Sequence, residues 1–214
     1  MAVTNRCSSV PARPLRARTA ARRRLLLAGL LTGLIGACAA PSQPADAGLT
    51  APKTFVSGGI TLSAPASNGW ALVEESSSGI LFAKGTQAAS DRFVAKVTHF
   101  ALPLTESPEA LRMRVQSLAT EDLDPTRFEV LSEQFRSSDE RPYPCVRYQS
   151  IAKDKASRAG AAPLLLELDA LYCRHPVQQE VGFSVIFSHL GPAPYPALRT
   201  ESESFIQGVR APDA

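Results

Sequence analysis

The segment Arg22–Cys38, which reads RRRLLLAGLLTGLIGAC, places the strongest constraint on how this chain can fold. Three arginines precede an apolar run over Leu25–Ile35, and the small residues Gly36 and Ala37 follow it. A positive end, an apolar core of about 7–15 residues and a small-residue exit are the parts of a secretory signal. The run is too short to span a bilayer, which takes about 20 apolar residues. The pattern therefore predicts that the rest of the chain folds after export, where disulfides persist.

The end of this segment, Ile35-Gly36-Ala37-Cys38, resembles the lipobox of bacterial lipoproteins, an aliphatic residue and two small ones before a cysteine. The resemblance implies that residues 1–37 are a lipoprotein signal peptide and that Cys38 becomes the lipidated first residue. Stable anchoring takes more than one acyl chain, so a triacylated terminus stays in the membrane. By resemblance to enterobacterial sorting, Ala39 in place of Asp implies the periplasmic face of the outer membrane.

Ordinary signal cleavage is the alternative to lipidation. Ala37-Cys38-Ala39 also satisfies the A-x-A pattern of that cleavage, which would release a soluble periplasmic protein. We favour the lipoprotein of the two. Residues 38–53, rich in Ala, Pro, Ser and Gly and without periodicity, are then a flexible tether, and residues 54–211 form a single domain.

Removal of the signal reverses the sign of the net charge. Seven of the 23 basic residues and none of the 20 acidic residues precede Cys38. The 177 residues from Cys38 onward therefore carry 16 basic and 20 acidic side chains, a net charge near −4. Nucleic-acid binding depends on clustered basic residues that neutralise phosphates, so no nucleic-acid partner is expected.

The cysteines fit an exported protein. Cys7 lies in the discarded segment and Cys38 is the lipid site, which leaves Cys145 and Cys173. In an oxidising periplasm such a pair is expected to form a disulfide.

A long predicted hairpin places the two cysteines opposite each other on neighbouring strands. Residues 143–152 and 164–173 have strand character, and a hairpin centred on Ala159 brings residues whose numbers sum to 318 opposite each other. Cys145 and Cys173 satisfy that sum. Directly opposed Cβ atoms in an antiparallel pair lie about 4.5–5.5 Å apart, close to disulfide distance.

Eight stretches between turn signals favour β-strands, because apolar residues alternate with polar ones or fill short runs. They are residues 60–62, 70–73, 80–84, 93–102, 128–135, 143–152, 164–173 and 180–189.

Two stretches favour helices. Ser107 is placed to cap the first, with Pro108 at its first position, and Asp124-Pro125 ends it. The second spans 197–208. Its predicted core-facing residues are Leu198, Phe205 and Ile206, and its predicted solvent-facing residues are Ser202, Glu203 and Ser204. The arrangement predicts the α+β class, a mostly antiparallel sheet with packed helices.

Five features in order along residues 55–210 form a recognisable series: a strand entering Gly69-Trp70, the Ser-Pro helix start, the long hairpin, the Phe183–Phe187 strand and a terminal helix closing on Ser204-Phe205-Ile206. This order resembles that of the PsbP-like family, an α/β/α sandwich shared by the photosystem II extrinsic protein and the Ran-binding Mog protein. The resemblance implies an accessory or binding role, although fold analogy assigns no activity.

No catalytic or metal-binding motif is present in the sequence. His99, His175 and His189 form neither H-x-x-x-H nor H-E-x-x-H, and C-x-x-C and G-x-S-x-G are absent. His175 lies two residues after Cys173, where a disulfide cysteine beside a strand-end histidine is favoured over a metal pair. No catalytic residue, metal or cofactor is predicted.

Two larger sets of residues allow a functional and a structural interpretation. Aromatic residues are interpreted as core rather than as a ligand pocket, and arginines as ordinary surface charge rather than as one anion-binding surface. The aromatic set is Trp70, Phe82, Phe93, Phe100, Tyr148, Phe183 and Phe187, and the arginine set is Arg112, Arg114, Arg127, Arg136, Arg141 and Arg147.

Three hypotheses of function follow. The favoured one is a non-enzymatic, membrane-anchored binding or envelope-accessory protein with an envelope protein as its partner. The alternatives are a periplasmic hydrolase with a site built from loops, and a carrier of a small hydrophobic ligand between sheet and helices. A histidine beside a serine or carboxylate in a pocket would favour the hydrolase.

Overall fold

The computed structural model describes residues 53–86, 91–104, 107–156 and 163–213. The predicted signal, Cys38 and the tether up to residue 52 lie outside the described residues. In chain order the elements are β1 (Thr54–Ser57), β2 (Ile60–Ser63), β3 (Ala71–Ser76), β4 (Gly79–Gly85), β5 (Arg92–Ala101), α1 (Pro108–Asp122), β6 (Phe128–Ser138), β7 (Cys145–Asp154), β8 (Leu164–Arg174), β9 (Val181–Gly191) and α2 (Leu198–Gly208).

Seven strands form one antiparallel sheet in the order β3-β4-β5-β9-β8-β7-β6, and β1 and β2 form a separate hairpin. The long strands β5, β9, β8 and β7 pair with one another over ten positions at each of their three junctions. The predicted α+β class with a mostly antiparallel sheet is confirmed.

Helices cover both faces of the sheet because its strands alternate their side chains between two cores. On β9, Phe183, Val185 and Phe187 belong to a core with α2 and the β1–β2 hairpin, whereas Ile186 belongs to a core with α1. The domain is therefore an α/β/α sandwich. Neither helix in the described part of the chain is long and apolar enough to cross a membrane.

Each of the eight predicted strand stretches overlaps one observed strand. β1 is not among the predicted strands, because it has only four residues, of which Thr54 and Val56 are exposed. Trp70 was predicted to start a strand, but it precedes β3 and is buried in the core, where its indole N–H donates to Ser67 Oγ at 3.0 Å.

The start of α1 follows its predicted capping. Ser107 adopts an extended conformation, and its hydroxyl accepts a hydrogen bond from the Ala110 N–H at 3.2 Å. The helix buries Leu111, Val115 and Ala119, whose spacing of four residues places them on one face.

The predicted orientation of one face of α2 is wrong. Ser202 is fully buried, while Ser204 is exposed as predicted. Ser202 follows Leu198 by four residues and precedes Ile206 by four, so the helical period puts it on the buried face with them. The polar side chain of Ser202 indicated exposure, but its hydroxyl is hydrogen bonded to a buried partner that is described below.

The predicted hairpin register is confirmed. Cys145 pairs with Cys173 across β7 and β8, and the two are joined by a disulfide with Cα atoms 4.1 Å apart. Arg174 N donates to Pro144 O at 3.0 Å, so the cysteines occupy a non-hydrogen-bonded pair, the closer of the two kinds of antiparallel pair.

Candidate binding cleft beside the second helix

A buried ion pair lies between the sheet and α2. Arg147 Nε donates to Asp169 Oδ1 at 2.7 Å and its Nη2 donates to Asp169 Oδ2 at 2.5 Å. The Ser202 hydroxyl also donates to Asp169, and Gln149 Nε2 donates to it at 3.2 Å. Glu140, at the protein surface, approaches the other side of the guanidinium at 3.2 Å.

This pair corrects the interpretation of Arg147 as surface charge. The side chain is 4% exposed. Burial opposes its charge, but the hydrogen bonds and charge of Asp169, together with Glu140, hold the pKa of Arg147 above its usual value. The arginine set does not gather on one surface, since Arg112 and Arg114 lie on α1 at the opposite face of the sheet.

A second polar cluster surrounds His189 at the start of α2. Its Nδ1 lies 3.1 Å from Glu167 Oε2 and its Nε2 lies 3.3 Å from Asp91 Oδ1. The Tyr195 backbone N–H donates to the same Glu167 oxygen at 2.6 Å. The Phe93 ring covers the imidazole at a centroid distance of 4.6 Å. Carboxylates and aromatic rings therefore fix this histidine.

The two clusters border a cleft of about 340 Å³ between β6, β7, β8 and the first turn of α2. Such a volume lies at the small end of the usual range for ligand sites, about 300–1,000 Å³. The residues that line it are Ser132, Glu133, Gln134, Gln149, Ser150, Ile151, Glu167, Leu168, Asp169, Leu198 and Arg199.

Several polar atoms of the cleft accept no hydrogen bond from the residues that the structure describes. The hydrogen bonds that reach Glu167 from the described residues all go to Oε2. Gln149 donates a hydrogen bond to Asp169 through its amide nitrogen, and its amide oxygen accepts none from the described residues. Arg199, at the rim, pairs with Glu203 at 3.0 Å. The cleft therefore offers acceptors and an excess of negative charge.

Tyr195 fixes the segment that leads into α2. Its hydroxyl donates to Glu201 Oε1 at 2.7 Å, and this bond, together with burial, raises the pKa of the phenol. Glu201 also approaches Lys84 Nζ at 3.8 Å. The first turn of α2 is thus tied to β4, which keeps the wall of the cleft in place.

The other two histidines lie away from the cleft, near the β1–β2 turn. His99 Nε2 donates to Ser57 O at 3.1 Å, and His175 Nδ1 accepts from the backbone N–H groups of Val177 and Gln178. In the described ranges no histidine is hydrogen bonded to a serine hydroxyl. His189 does lie beside the carboxylates of Glu167 and Asp91, but its imidazole is buried and is not part of the cleft lining, so this pairing does not by itself favour the hydrolase. Among the same residues no group of three or more ligand side chains is arranged to hold a metal ion.

The predicted aromatic core is confirmed for six of its members. Phe100 is only partly buried and packs against the α1-side core. The buried members are Trp70, Phe82, Phe93, Tyr148, Phe183 and Phe187.

Sequence reasoning missed the Arg147–Asp169–Ser202 network, although the sequence contains a signal for it. Arg147 has the same parity as Cys145 on β7 and therefore lies on the same face. The predicted register pairs Arg147 with Leu171, which puts Asp169 at the diagonal position on the neighbouring strand. An arginine and a carboxylate on a core face predict a buried pair.

Comparisons with known proteins give similarity to solved structures. No family model matches the chain, and no curated protein matches it. The Ran-binding protein Mog1p of Saccharomyces cerevisiae is 14% identical with a TM-score of 0.42, covering 76% of this chain and 97% of that one. The cyanobacterial PsbP of Synechocystis is 12% identical with a TM-score of 0.40, covering 80% of this chain and 99% of that one.

Proposed function

We propose that this chain is a lipid-anchored protein at the periplasmic face of the outer membrane, and that its domain binds an envelope protein without catalysing a reaction. The lipobox at Cys38 and the tether over residues 38–53 support the anchor. The cleft beside α2 supports the binding role, and its ligand is a lysine or arginine side chain of the partner.

The unused acceptor oxygens of the cleft carry this proposal. Glu167 has one carboxylate oxygen without a described hydrogen-bond donor, next to the amide oxygen of Gln149. Neither oxygen is among the buried atoms without a partner, so both are open to water in the free protein. A hydrogen bond from a charged donor that replaces this water contributes about 1.5–3 kcal/mol, so the cleft gains when such a donor enters it. A basic side chain brings both donors and the compensating charge.

The position of the cleft suits a protein partner. Ser132 and Gln134, which form its outer wall, belong to β6, the outermost strand of the sheet. Ile151 and Leu198 give it apolar surface that can contact the methylene part of a long side chain. The carboxylates of Glu133, Glu167 and Asp169 in the lining favour this ligand over a small hydrophobic molecule.

Peptide titration tests the binding role. Purified mature protein is titrated with a short peptide that carries one lysine, and with the same peptide carrying norleucine, which has the length but not the charge. We expect only the lysine peptide to shift the NMR signals of Gln134 and Leu198. We expect Glu167→Gln to weaken the binding of that peptide about tenfold. Glu129→Gln, an exposed change on β6 outside the cleft lining, is the matched control. Equal binding of both peptides would contradict the proposal.

A crosslink in the cell tests the same site with the full chain. A photoreactive residue at Gln134 is expected to give a crosslinked product that Glu167→Gln diminishes. The same residue at Ser78, in the β3–β4 turn at the other side of the sheet, is expected to give none of it. Products that do not respond to Glu167→Gln would argue against the cleft.

The anchor is tested separately. Mass spectrometry of the mature protein is expected to find Cys38 as a triacylated first residue, and Cys38→Ala is expected to move the protein out of the membrane fraction. An unmodified N-terminus at residue 38 or 40 would instead show ordinary signal cleavage.

A further inference from the structure

A second concave site lies at the disulfide end of the sheet and has the opposite charge to the cleft. It has a volume of about 310 Å³ and is formed by three connections: the segment before β7, the segment after β8 and the chain after α2. Arg141, Tyr143 and Arg210 supply its polar groups. Pro142, Pro176, Ala211, Pro212 and Asp213 complete the lining.

Both arginines are held in place by the end of α2. Arg141 Nη2 donates to the Ile206 carbonyl at 2.6 Å, and Arg210 Nη1 donates to the Val209 carbonyl at 3.2 Å. The backbone of Arg210 also exchanges two hydrogen bonds of 2.8 Å with Thr61 of β2. Each guanidinium has five N–H donors in a planar fork, so these bonds position the groups and leave further donors.

The positive charge of this pocket is not neutralised by an ion pair. Among the described residues no carboxylate oxygen lies within 4.0 Å of Arg141 or Arg210, in contrast to the paired Arg127 and Arg147. Asp213 contributes the one carboxylate of the lining and forms no such pair. Two guanidinium groups therefore face one site with a single opposing charge.

Tyr143 adds a neutral donor to the same lining. Its ring packs against Phe183 at a centroid distance of 6.0 Å, and none of the described hydrogen bonds involves its hydroxyl. Burial raises the pKa of Tyr143, against the effect of Arg141 and Arg210, so the phenol keeps its proton at neutral pH. The hydroxyl can thus donate to an oxygen atom in the pocket.

We propose that this pocket binds a phosphate group, either free or on a phospholipid headgroup. Two guanidinium groups and a phenol line one site, and several oxygens of a tetrahedral anion can accept from such donors at the same time. The proline rings and Ala211 provide apolar walls for the carbon part of a phosphate ester. This site is independent of the cleft beside α2 and of its proposed partner.

Titration with inorganic phosphate is the first test, and it uses the Cys38→Ala full chain so that no attached lipid competes. We expect phosphate to shift the resonances of Tyr143 and Arg210, and acetate at equal ionic strength to bind more weakly. Arg210→Gln and Arg141→Lys are expected to weaken phosphate about tenfold, and Asp213→Asn to strengthen it. Arg136→Gln, which removes an exposed arginine on β6, is the control and leaves the affinity unchanged.

Vesicles separate the two sources of phosphate. Binding of the same chain to phosphatidylglycerol vesicles but not to phosphatidylcholine vesicles, lost in Arg210→Gln, assigns the site to a headgroup. Binding of inorganic phosphate alone, with the same dependence on Arg210, assigns it to a free anion. The proposal is overturned if neither binds, if acetate binds as tightly as phosphate, or if Arg210→Gln behaves as Arg136→Gln does. Both guanidinium groups bond to carbonyls at the end of α2, so urea denaturation checks the folding of each variant. Arg210→Gln keeps the backbone bonds to Thr61 and decides the result should Arg141→Lys not fold.

Discussion

Arg147 on β7 and Asp169 on β8 form a diagonal ion pair with two hydrogen bonds, and each side chain is less than 5% exposed beneath α2. Two charges removed from water are costly unless their remaining hydrogen-bonding groups are satisfied. Gln149 and Ser202 satisfy Asp169, and Glu140 satisfies the outer side of Arg147. Through Ser202 the pair joins β7 and β8 to the helix that forms the wall of the cleft.

Removal of one partner from this pair should be strongly destabilising. Asp169→Ala leaves a buried guanidinium without its carboxylate, and we expect it to lower the free energy of unfolding by about 3–5 kcal/mol. Urea denaturation monitored by the fluorescence of Trp70 measures the loss. Glu129→Ala, which breaks the exposed pair of Glu129 with Lys153, is the control and should change stability by about 0.5 kcal/mol or less.

Replacement of both charged partners should be far less harmful than replacement of one. Arg147→Met combined with Asp169→Leu removes the two buried charges together, so no charge is left unpaired. We expect this double variant to be more stable than Asp169→Ala. If the double variant is as unstable as Asp169→Ala, the loss of stability comes from the hydrogen bonds that Ser202 and Gln149 donate to Asp169 and not from the unpaired charge of Arg147.

The disulfide supports the same pair of strands. Cys145 and Cys173 are separated by 28 positions, and closing a loop of that length stabilises by about 3–4 kcal/mol in the chain-entropy model. We expect a reducing agent to lower the urea midpoint of the wild type by a corresponding amount. The Cys145→Ala, Cys173→Ala double variant should start at the lower midpoint and not respond to the reducing agent. Thiol counting on the denatured, unreduced mature protein should find neither sulfur free.

Local pattern and chain connectivity were enough to predict the sheet and its register. Side chains alternate along the predicted strand 93–102, so Phe93, Ala95 and Val97 share one face, and all three are buried in the α2-side core. The predicted hairpin centre at Ala159 gave the correct pairing of Cys145 with Cys173. A slip of one residue would move every apolar side chain of the strand to the other face, so the register is strongly specified. Ser107 was enough to locate the start of α1.

The polar interior could not be predicted in the same way, because side-chain type was a poor guide to burial. The periodicities of α2 and β7 place Ser202 and Arg147 on core-facing sides, but the polarity of the two side chains indicated exposure to solvent. Their burial depends on Asp169, which is distant in sequence from both. The cleft likewise needs α2 to dock on β8 and β9 so that its first turn lies beside the exposed part of β6 and β7, a relationship that no local pattern contains.

The tight turn between β1 and β2 should tolerate no side chain at Gly58. Its φ of 54° lies in the left-handed region, and an added Cβ would lie 2.7 Å from the His99 ring. We expect Gly58→Ala to cost about 1–3 kcal/mol of unfolding free energy. Gly85→Ala is the matched control, since no atom lies within 4 Å of its added Cβ, and it should change stability by about 0.5 kcal/mol or less. Similar losses in both variants would contradict the packing argument.

His99 should make the domain less stable as the pH falls below neutrality. Burial lowers the pKa of His99 from 6.5, the nearby His175 lowers it further, and the hydrogen bond to the Ser57 carbonyl opposes this shift. The unfolded chain therefore binds the proton more readily than the folded one, so stability is full above pH 6.5 and falls as the pH drops toward the folded pKa. Unfolding free energies from urea denaturation at about pH 7.5 and about pH 5 should differ more in the wild type than in His99→Gln, which keeps a donor for Ser57. Asp124→Asn serves as a control, because hydrogen bonds from Thr126 lower the pKa of Asp124 from 3.8 and its window lies below this range. An equal pH dependence in wild type and His99→Gln would show that another group titrates there.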